Sequence, residues 1–184
     1  FGVTKNHKVK RSTTLGVLDL SDCGIGVDGV TALGQALALN KSLHTLYLSE
    51  NPQIGPTGAE ELFHGLLENL RLKILDMGNC AIGDEGCFAL AEWLTKTNVV
   101  EQLFLRKNNI SARGSAKLAE ALAEKNRSLK LLNLDYNTIG DEGARPFMVV
   151  VRENNRLEKI EFDDKSISDE WKQEFHARLA RKQA

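Results

Sequence analysis

Leu72-Lys-Ile-Leu75-Asp-Met77-Gly-Asn-Cys80-Ala-Ile82-Gly83-Asp-Glu-Gly86 is the stretch whose reading decides the fold. Its opening L-x-x-L-x-M alternates like a short strand with one buried face. Working outward, the same arrangement recurs at Leu15-x-x-Leu18-x-Leu20 and Leu43-x-x-Leu46-x-Leu48. It returns at Val100-x-x-Leu103-x-Leu105, Leu129-x-x-Leu132-x-Leu134 and Leu157-x-x-Ile160-x-Phe162. The first positions, 15, 43, 72, 100, 129 and 157, are spaced by 28 or 29 residues. A sustained period of that size marks a repeat architecture.

Each copy continues alike. Three residues past the triplet stands Cys23, Asn51, Cys80, Asn108, Asn137 or Lys165. Then comes an isoleucine: Ile25, Ile54, Ile82, Ile110, Ile139, Ile167. A glycine (Gly29, Gly58, Gly86, Gly114, Gly143) opens an apolar stretch, with Leu33/Leu37, Leu62/Leu66, Leu90/Leu94, Leu118/Leu122 and Phe147/Val151 following it. An i, i+4 recurrence lines one helix face. Each unit therefore reads as strand, turn and helix, and only stacking buries its apolar face. An amide in the Asn/Cys column can satisfy turn backbone, and a thiol fills the same small space, so Cys23 and Cys80 are expected to be structural. Lys165 in that column is expected to mark the end of the stack, because burying it unpaired is costly.

This pattern resembles the leucine-rich repeats of the ribonuclease-inhibitor type over about residues 12–168. The resemblance implies an α/β fold, a right-handed solenoid in a horseshoe arc. Its parallel sheet would line the concave face and its helices the convex face. The departures are a one-residue insertion at Pro52-Gln53 and a fifth helix interrupted at Arg145-Pro146, where proline removes a hydrogen bond. The inhibitor itself is Cys-rich, and this chain has three cysteines, so ribonuclease inhibition is not expected.

Composition agrees with a globular chain. The 184 residues are 42% hydrophobic, 27% charged and 6% aromatic, too apolar for a disordered chain. No apolar run approaches the ~18–20 residues that span a bilayer. A formal charge of −1 gives no global drive toward nucleic acid or an anionic membrane. Three cysteines at no metal-ligand spacing favour a reducing compartment, so an intracellular, cytoplasmic setting is expected. The chain starts at Phe1 and reads as part of a longer protein. Residues 1–14, with Lys5, Lys8, Lys10 and Arg11 and no acid, read as a linker, the tail of an earlier repeat, or an arm for phosphate or acidic groups. Residues 15–167 hold the six repeats. Residues 168–184 read as a capping helix: Ser168 starts it, Trp171, Phe175 and Leu179 form its stripe, and Arg178, Arg181 and Lys182 suit its C-terminal dipole. No comparable cap precedes Leu15, so further sequence or another protein is expected to cover the first repeat.

Gly24-Ile-Gly26-Val-Asp-Gly29 matches the dinucleotide pattern G-x-G-x-x-G, with Glu50 at a suitable distance. The repeat explains it better: Ala81-Ile-Gly83-Asp-Glu-Gly86 and Thr138-Ile-Gly140-Asp-Glu-Gly143 occupy the equivalent turns. There Asp84, Glu85, Asp141 and Glu142 suit a helix start. No phosphate-loop, zinc-protease or serine-hydrolase signature is present. His7, His44, His64 and His176 are scattered, and no cofactor or metal is implied.

The residues between the leucines are expected to line the concave face. One column reads Asp19, Tyr47, Asp76, Phe104, Asn133, Glu161; the column two before it reads Val17, Thr45, Ile74, Gln102, Leu131, Lys159. Six strands spaced ~4.8 Å apart make a platform about 24–29 Å wide. Tyr47, Ile74, Phe104, Leu131 and Tyr136 give it an apolar, aromatic middle, with Arg106 and Lys107 as a basic spot. Acidic residues, among them Asp163–Asp164, flank it. That is the make-up of an interface hot spot. On the convex side, Val149 breaks the polar column of Gln35, His64, Glu92 and Glu120, with Met148 beside it, and the two suggest a second patch. The expectation is a non-catalytic interaction module binding a protein partner. Rivals are a GTPase-activating regulator like the Ran GTPase-activating protein, the sensing repeats of a nucleotide-binding immune receptor, and a structural subunit of a large assembly; actin-capping tropomodulin-like proteins use similar arrays, but the sequence holds no actin-specific motif.

Overall fold

The computed structural model describes residues 14–162, 165 and 167–183. The basic lead with Lys5, Lys8, Lys10 and Arg11, His7, the Asp163–Asp164 pair, Ala184 and the side chain of Lys182 lie outside the described residues.

Strands and helices alternate: β1 (Val17–Asp19), α1 (Val27–Leu39), β2 (Thr45–Tyr47), α2 (Gly55–Gly65), β3 (Ile74–Asp76), α3 (Gly83–Lys96), β4 (Gln102–Phe104), α4 (Ala112–Glu124), β5 (Leu131–Asn133), α5 (Gly140–Ala144), α6 (Phe147–Glu153), β6 (Lys159–Glu161) and α7 (Asp169–Gln183). A 3-10 turn, Leu66–Glu68, follows α2. The strands pair in parallel, in sequence order, as one six-stranded sheet. Their register joins Leu18, Leu46, Leu75, Leu103, Leu132 and Ile160 along one row, as the repeat alignment demands. Side chains alternate across a sheet, so this row points away from its two neighbouring columns and into the core. Arg145 and Pro146 divide the fifth helix into α5 and α6.

Two amide ladders fasten unit to unit. In the first, Asn108 accepts from the N–H groups of Cys80 (3.0 Å) and Ile82 (3.3 Å) and donates to the Met77 carbonyl (2.7 Å). Asn51 and Asn137 repeat this toward Cys23/Ile25 and Asn108/Ile110. The Cys80 thiol donates to the Leu48 carbonyl at 3.1 Å, keeping half of the role. Burial pushes that thiol up to about 12, and raises Cys87 as well, so both stay protonated and inert. The second ladder was not anticipated. Asn69, Asn126 and Asn154 close the turn from helix to strand, accepting from the N–H of the next unit's first leucine. Their amides reach back to Leu37, Leu94 and Leu122 of the preceding unit.

Three expectations need correction. Cys23 is exposed, not a buried filler, because it lies in the first unit at the open edge of the sheet. For the same reason the first leucine triplet is only partly inward: Leu15 is 43% exposed, and Leu18 and Leu20 are half-buried. Asp84 and Asp141 do act at helix starts, but at those of the following unit: Asp84 accepts from Ser111, and Asp141 from Ser168. Lys165 is exposed.

In α7, the Ser168 hydroxyl accepts from the Trp171 N–H (3.2 Å). Trp171 and Phe175 stack at 4.8 Å and meet Phe162 edge-on, which in turn meets Phe147. This aromatic cluster buries the far side of the sixth unit.

Candidate partner interface on the concave face

The register sets the two concave columns side by side. Val17, Thr45, Ile74, Gln102, Leu131 and Lys159 are successive partners, as are Asp19, Tyr47, Asp76, Phe104, Asn133 and Glu161. Tyr47, Ile74, Phe104 and Leu131 are each half-buried. Two members are not available: Thr45 is buried beside His44, and Asn133 is buried between Asp135 and Glu161, donating to both.

Asp76 stands between Tyr47 and Phe104 and changes the character of the middle. Burial lifts its carboxyl above its ordinary value, and the Gly78 N–H (2.8 Å) and the Arg106 guanidinium offset this only in part. Arg106 is not a free basic spot. Its side chain lies across Gly78, where an added Cβ would come within 2.9 Å of Arg106 Cγ, and reaches Glu50 two units away at 3.6 Å. Glu50 also accepts from Asn79. The apolar centre is thus threaded by a charged string of Asp76, Arg106 and Glu50.

At the strand exits, Asp22, Glu50, Asn79, Lys107 and Tyr136 form a column in which every φ lies between 51° and 61°. Asp and Asn suit that left-handed backbone through local hydrogen bonds; a bulky tyrosine is an outlier there. Yet Tyr136 holds it and stands 59% exposed, with the Lys107 ammonium 5.8 Å from its ring centre. Such strain clusters at functional positions.

A further column at the strand entries was missed: Gly16, His44, Lys73, Glu101, Lys130, Glu158. Glu101 pairs with Lys73 (3.0 Å) and Lys130 (2.6 Å), and the hydrogen bonds from Lys130 and Lys73 hold its carboxyl below its ordinary value. Reading the positions just after each first leucine would have found this alternation. On the convex side Val149 is 42% exposed, whereas Met148 packs against the core. Among the described residues, no three His, Cys, Asp or Glu side chains are grouped to hold a metal, and no helix is long and apolar enough to cross a membrane.

Parallel strands in strict sequence order, each returned by a helix, with buried asparagine ladders between units, define an α/β leucine-rich-repeat solenoid. The leucine-rich-repeat family model matches residues 11–34, 39–63, 68–91 and 125–148, more than half of the chain, and the chain belongs to that family. It is similar to ribonuclease inhibitor of Sus scrofa, 27% identical over 154 residues, covering 83% of this chain and 34% of the inhibitor. It is also similar to NACHT, LRR and PYD domains-containing protein 3 of Bos taurus, 32% identical over 118 residues, covering 64% of this chain and 11% of that protein. The chain therefore spans about a third of the first relative and about a tenth of the second. Among solved structures, the tropomodulin C-terminal domain of Caenorhabditis elegans superposes with a TM-score of 0.70 at 15% identity, covering 86% of this chain and 94% of that one. That likeness concerns the fold. The chain is a ribonuclease-inhibitor-like repeat module suited to protein interaction.

Proposed function

We propose that this chain is the non-catalytic recognition module of a larger intracellular protein and binds a protein partner on its concave face. The observation that carries the reading is Tyr136: a large exposed aromatic held on left-handed backbone, where its column otherwise uses Asp, Glu, Asn and Lys. It stands beside Lys107, one unit along from Phe104 and just past the strand that carries Leu131. Exposed aromatics flanked by charge are where interface energy concentrates. Leu15, Val17 and Leu39 expose apolar surface at the first unit, which supports coverage by further sequence or another subunit in the full assembly. No nucleic-acid surface and no cofactor belong to this reading.

The test compares proteins captured by the wild type with those captured by Phe104→Ala and Arg106→Glu, each first checked for an unchanged circular dichroism spectrum. A partner lost by both supports the concave face; full retention by both overturns it. A second reading, the sensing repeats of a nucleotide-binding receptor, is favoured by the bovine relative. A nucleotide-binding module encoded upstream of these repeats decides it. Acceleration of GTP hydrolysis by candidate small GTPases would point to the regulator instead.

A further inference from the structure

What lies between neighbouring convex helices differs from pair to pair. Between α1 and α2 two glycines meet: a Cβ on Gly65 would fall 2.5 Å from the Gly34 carbonyl carbon. Between α2 and α3 stand two large rings instead. Phe63 and Trp93 stack with centroids 5.5 Å apart, both almost fully buried. Glycines let backbones touch, and stacked aromatics hold them apart. The result is a groove of about 600 Å³ between α2 and α3.

Its floor is apolar: Phe63 and Trp93 below, with Leu67, Phe88 and Ala89 half-buried at its sides. The indole N–H of Trp93 is satisfied by the Leu66 carbonyl (3.3 Å), so the floor asks nothing polar of an occupant. Its rim is acidic, with Glu60, Glu61, Glu85 and Glu92 around it. Lys96 pairs with Glu92 and Arg113 with Glu85, while Glu60 and Glu61 have no ion-pair partner among the described residues. The chain also shows what this rim accepts: the Arg113 guanidinium lies over the Phe88 ring, 5.0 Å from its centre.

We infer that the α2–α3 groove is a second docking surface, for a basic amphipathic segment of a partner protein. Its apolar side chain would rest on Leu67, Phe88 and Ala89, over the buried Phe63–Trp93 stack, and its lysines or arginines would meet Glu60 and Glu61. The occupant's chemistry follows from the charge: the carboxylates of Glu60 and Glu61, beside an apolar floor, reject acidic segments and gain from basic ones. This surface is separate from the concave face.

Trp93 supplies the readout. A short amphipathic peptide of leucine and lysine is titrated into the labelled protein, with the same peptide carrying glutamate for lysine as control. The indole N–H resonance of Trp93 is expected to shift with the lysine peptide alone, while that of Trp171 stays in place. Glu60→Lys with Glu61→Lys, both exposed, is expected to weaken binding about tenfold or more. Ala89→Trp, which fills the groove, is expected to abolish it. An equal response to the glutamate peptide, or indifference to both variants, overturns the inference. So does a Trp93 shift that depends on protein concentration without peptide, which assigns the groove to a second copy of this chain. Loss of concave binding in Phe104→Ala leaves these readouts unaffected, so the two readings fail separately.

Discussion

Asp84, in the first turn of α3, hydrogen-bonds Ser111, the residue that opens α4 one unit later: its carboxylate accepts from the Ser111 N–H at 2.8 Å and from the hydroxyl at 2.6 Å. It also takes the Gly114 N–H at 3.1 Å. Asp141 treats Ser168 in the same way at 2.7 Å. At Gly55, Gly83 and Gly140 in the same column the backbone turns left-handed instead, whereas Gly26 stays extended at φ −106°. Two chemical solutions thus serve one corner of the repeat. Asp84→Ala is expected to destabilise the domain by about 1–2 kcal/mol, the range of a lost N-cap. The effect depends on pH. Burial pushes the Asp84 carboxyl up, but the hydrogen bonds from Ser111 and Gly114 outweigh it and hold it below its ordinary value. A depressed folded value means the stabilisation is full above the ordinary aspartate range and fades as pH falls through the lowered one. Urea unfolding of wild type and Asp84→Asn should show curves that diverge at neutral pH and converge in acid. A constant gap would mean the carboxylate charge is irrelevant.

Asn108 is fully buried and serves three backbone groups of the third unit. Asn108→Ala strands all three away from water. The expected loss is about 2–4 kcal/mol, since each unsatisfied buried group costs roughly 1–3 kcal/mol and the turn relaxes in part. Asn108→Cys should cost less, because the Cys80 thiol shows that sulfur in this column still reaches a carbonyl of the preceding unit. Denaturant midpoints rank the two variants; alanine equal to cysteine would deny the ladder its role.

Gly65 and Gly24 predict opposite outcomes. Gly65→Ala places a methyl group 2.5 Å from Gly34 backbone, which cannot swing aside, so a loss of about 1–3 kcal/mol is expected from overpacking. Gly24 has φ +65° and nothing within 4 Å of its missing Cβ. Its column already holds Ala81 and Asn109 at φ 54° and 56°. Gly24→Asn is therefore expected to stay within about 0.5 kcal/mol of wild type, as asparagine tolerates this region. Thermal melts of both variants check the contrast.

The strands, their register and the first amide ladder were legible because each is a column at fixed period: once Leu46 is aligned with Leu75, Tyr47 must face Asp76. The second ladder was equally periodic. It lies three residues before each first leucine, at Asn40, Asn69, Thr97, Asn126 and Asn154, in positions that read as loop. The Asp84–Ser111 pairing was visible only as a coincidence of types one unit apart. What periodicity cannot show is how a long side chain lies. Arg106 reaches back across Gly78 to Glu50, skipping a unit, so the apparent basic spot is a paired one. The α2–α3 groove is hidden for a related reason. It depends on Gly34 meeting Gly65 on one side and Phe63 meeting Trp93 on the other, in places where the repeat alone predicts equal spacing.

Tyr136 allows stability and recognition to be separated. Its φ of 58° suits asparagine better than a bulky aromatic, and Asn79 occupies the same column at 53°. Tyr136→Asn removes an exposed ring and the Lys107 contact, but relieves backbone strain. The two effects are of similar size, about 1 kcal/mol each, so the melting temperature should hold or rise slightly. Partner capture should fall steeply, because the ring is the largest exposed aromatic at this edge of the concave face. If Tyr136 served only the fold, the variant would lose stability and keep its partner. Measuring melting temperature and capture on one preparation distinguishes these results. A stable variant that still captures every wild-type partner would remove Tyr136 from the interface and move the search back to Phe104 and Tyr47.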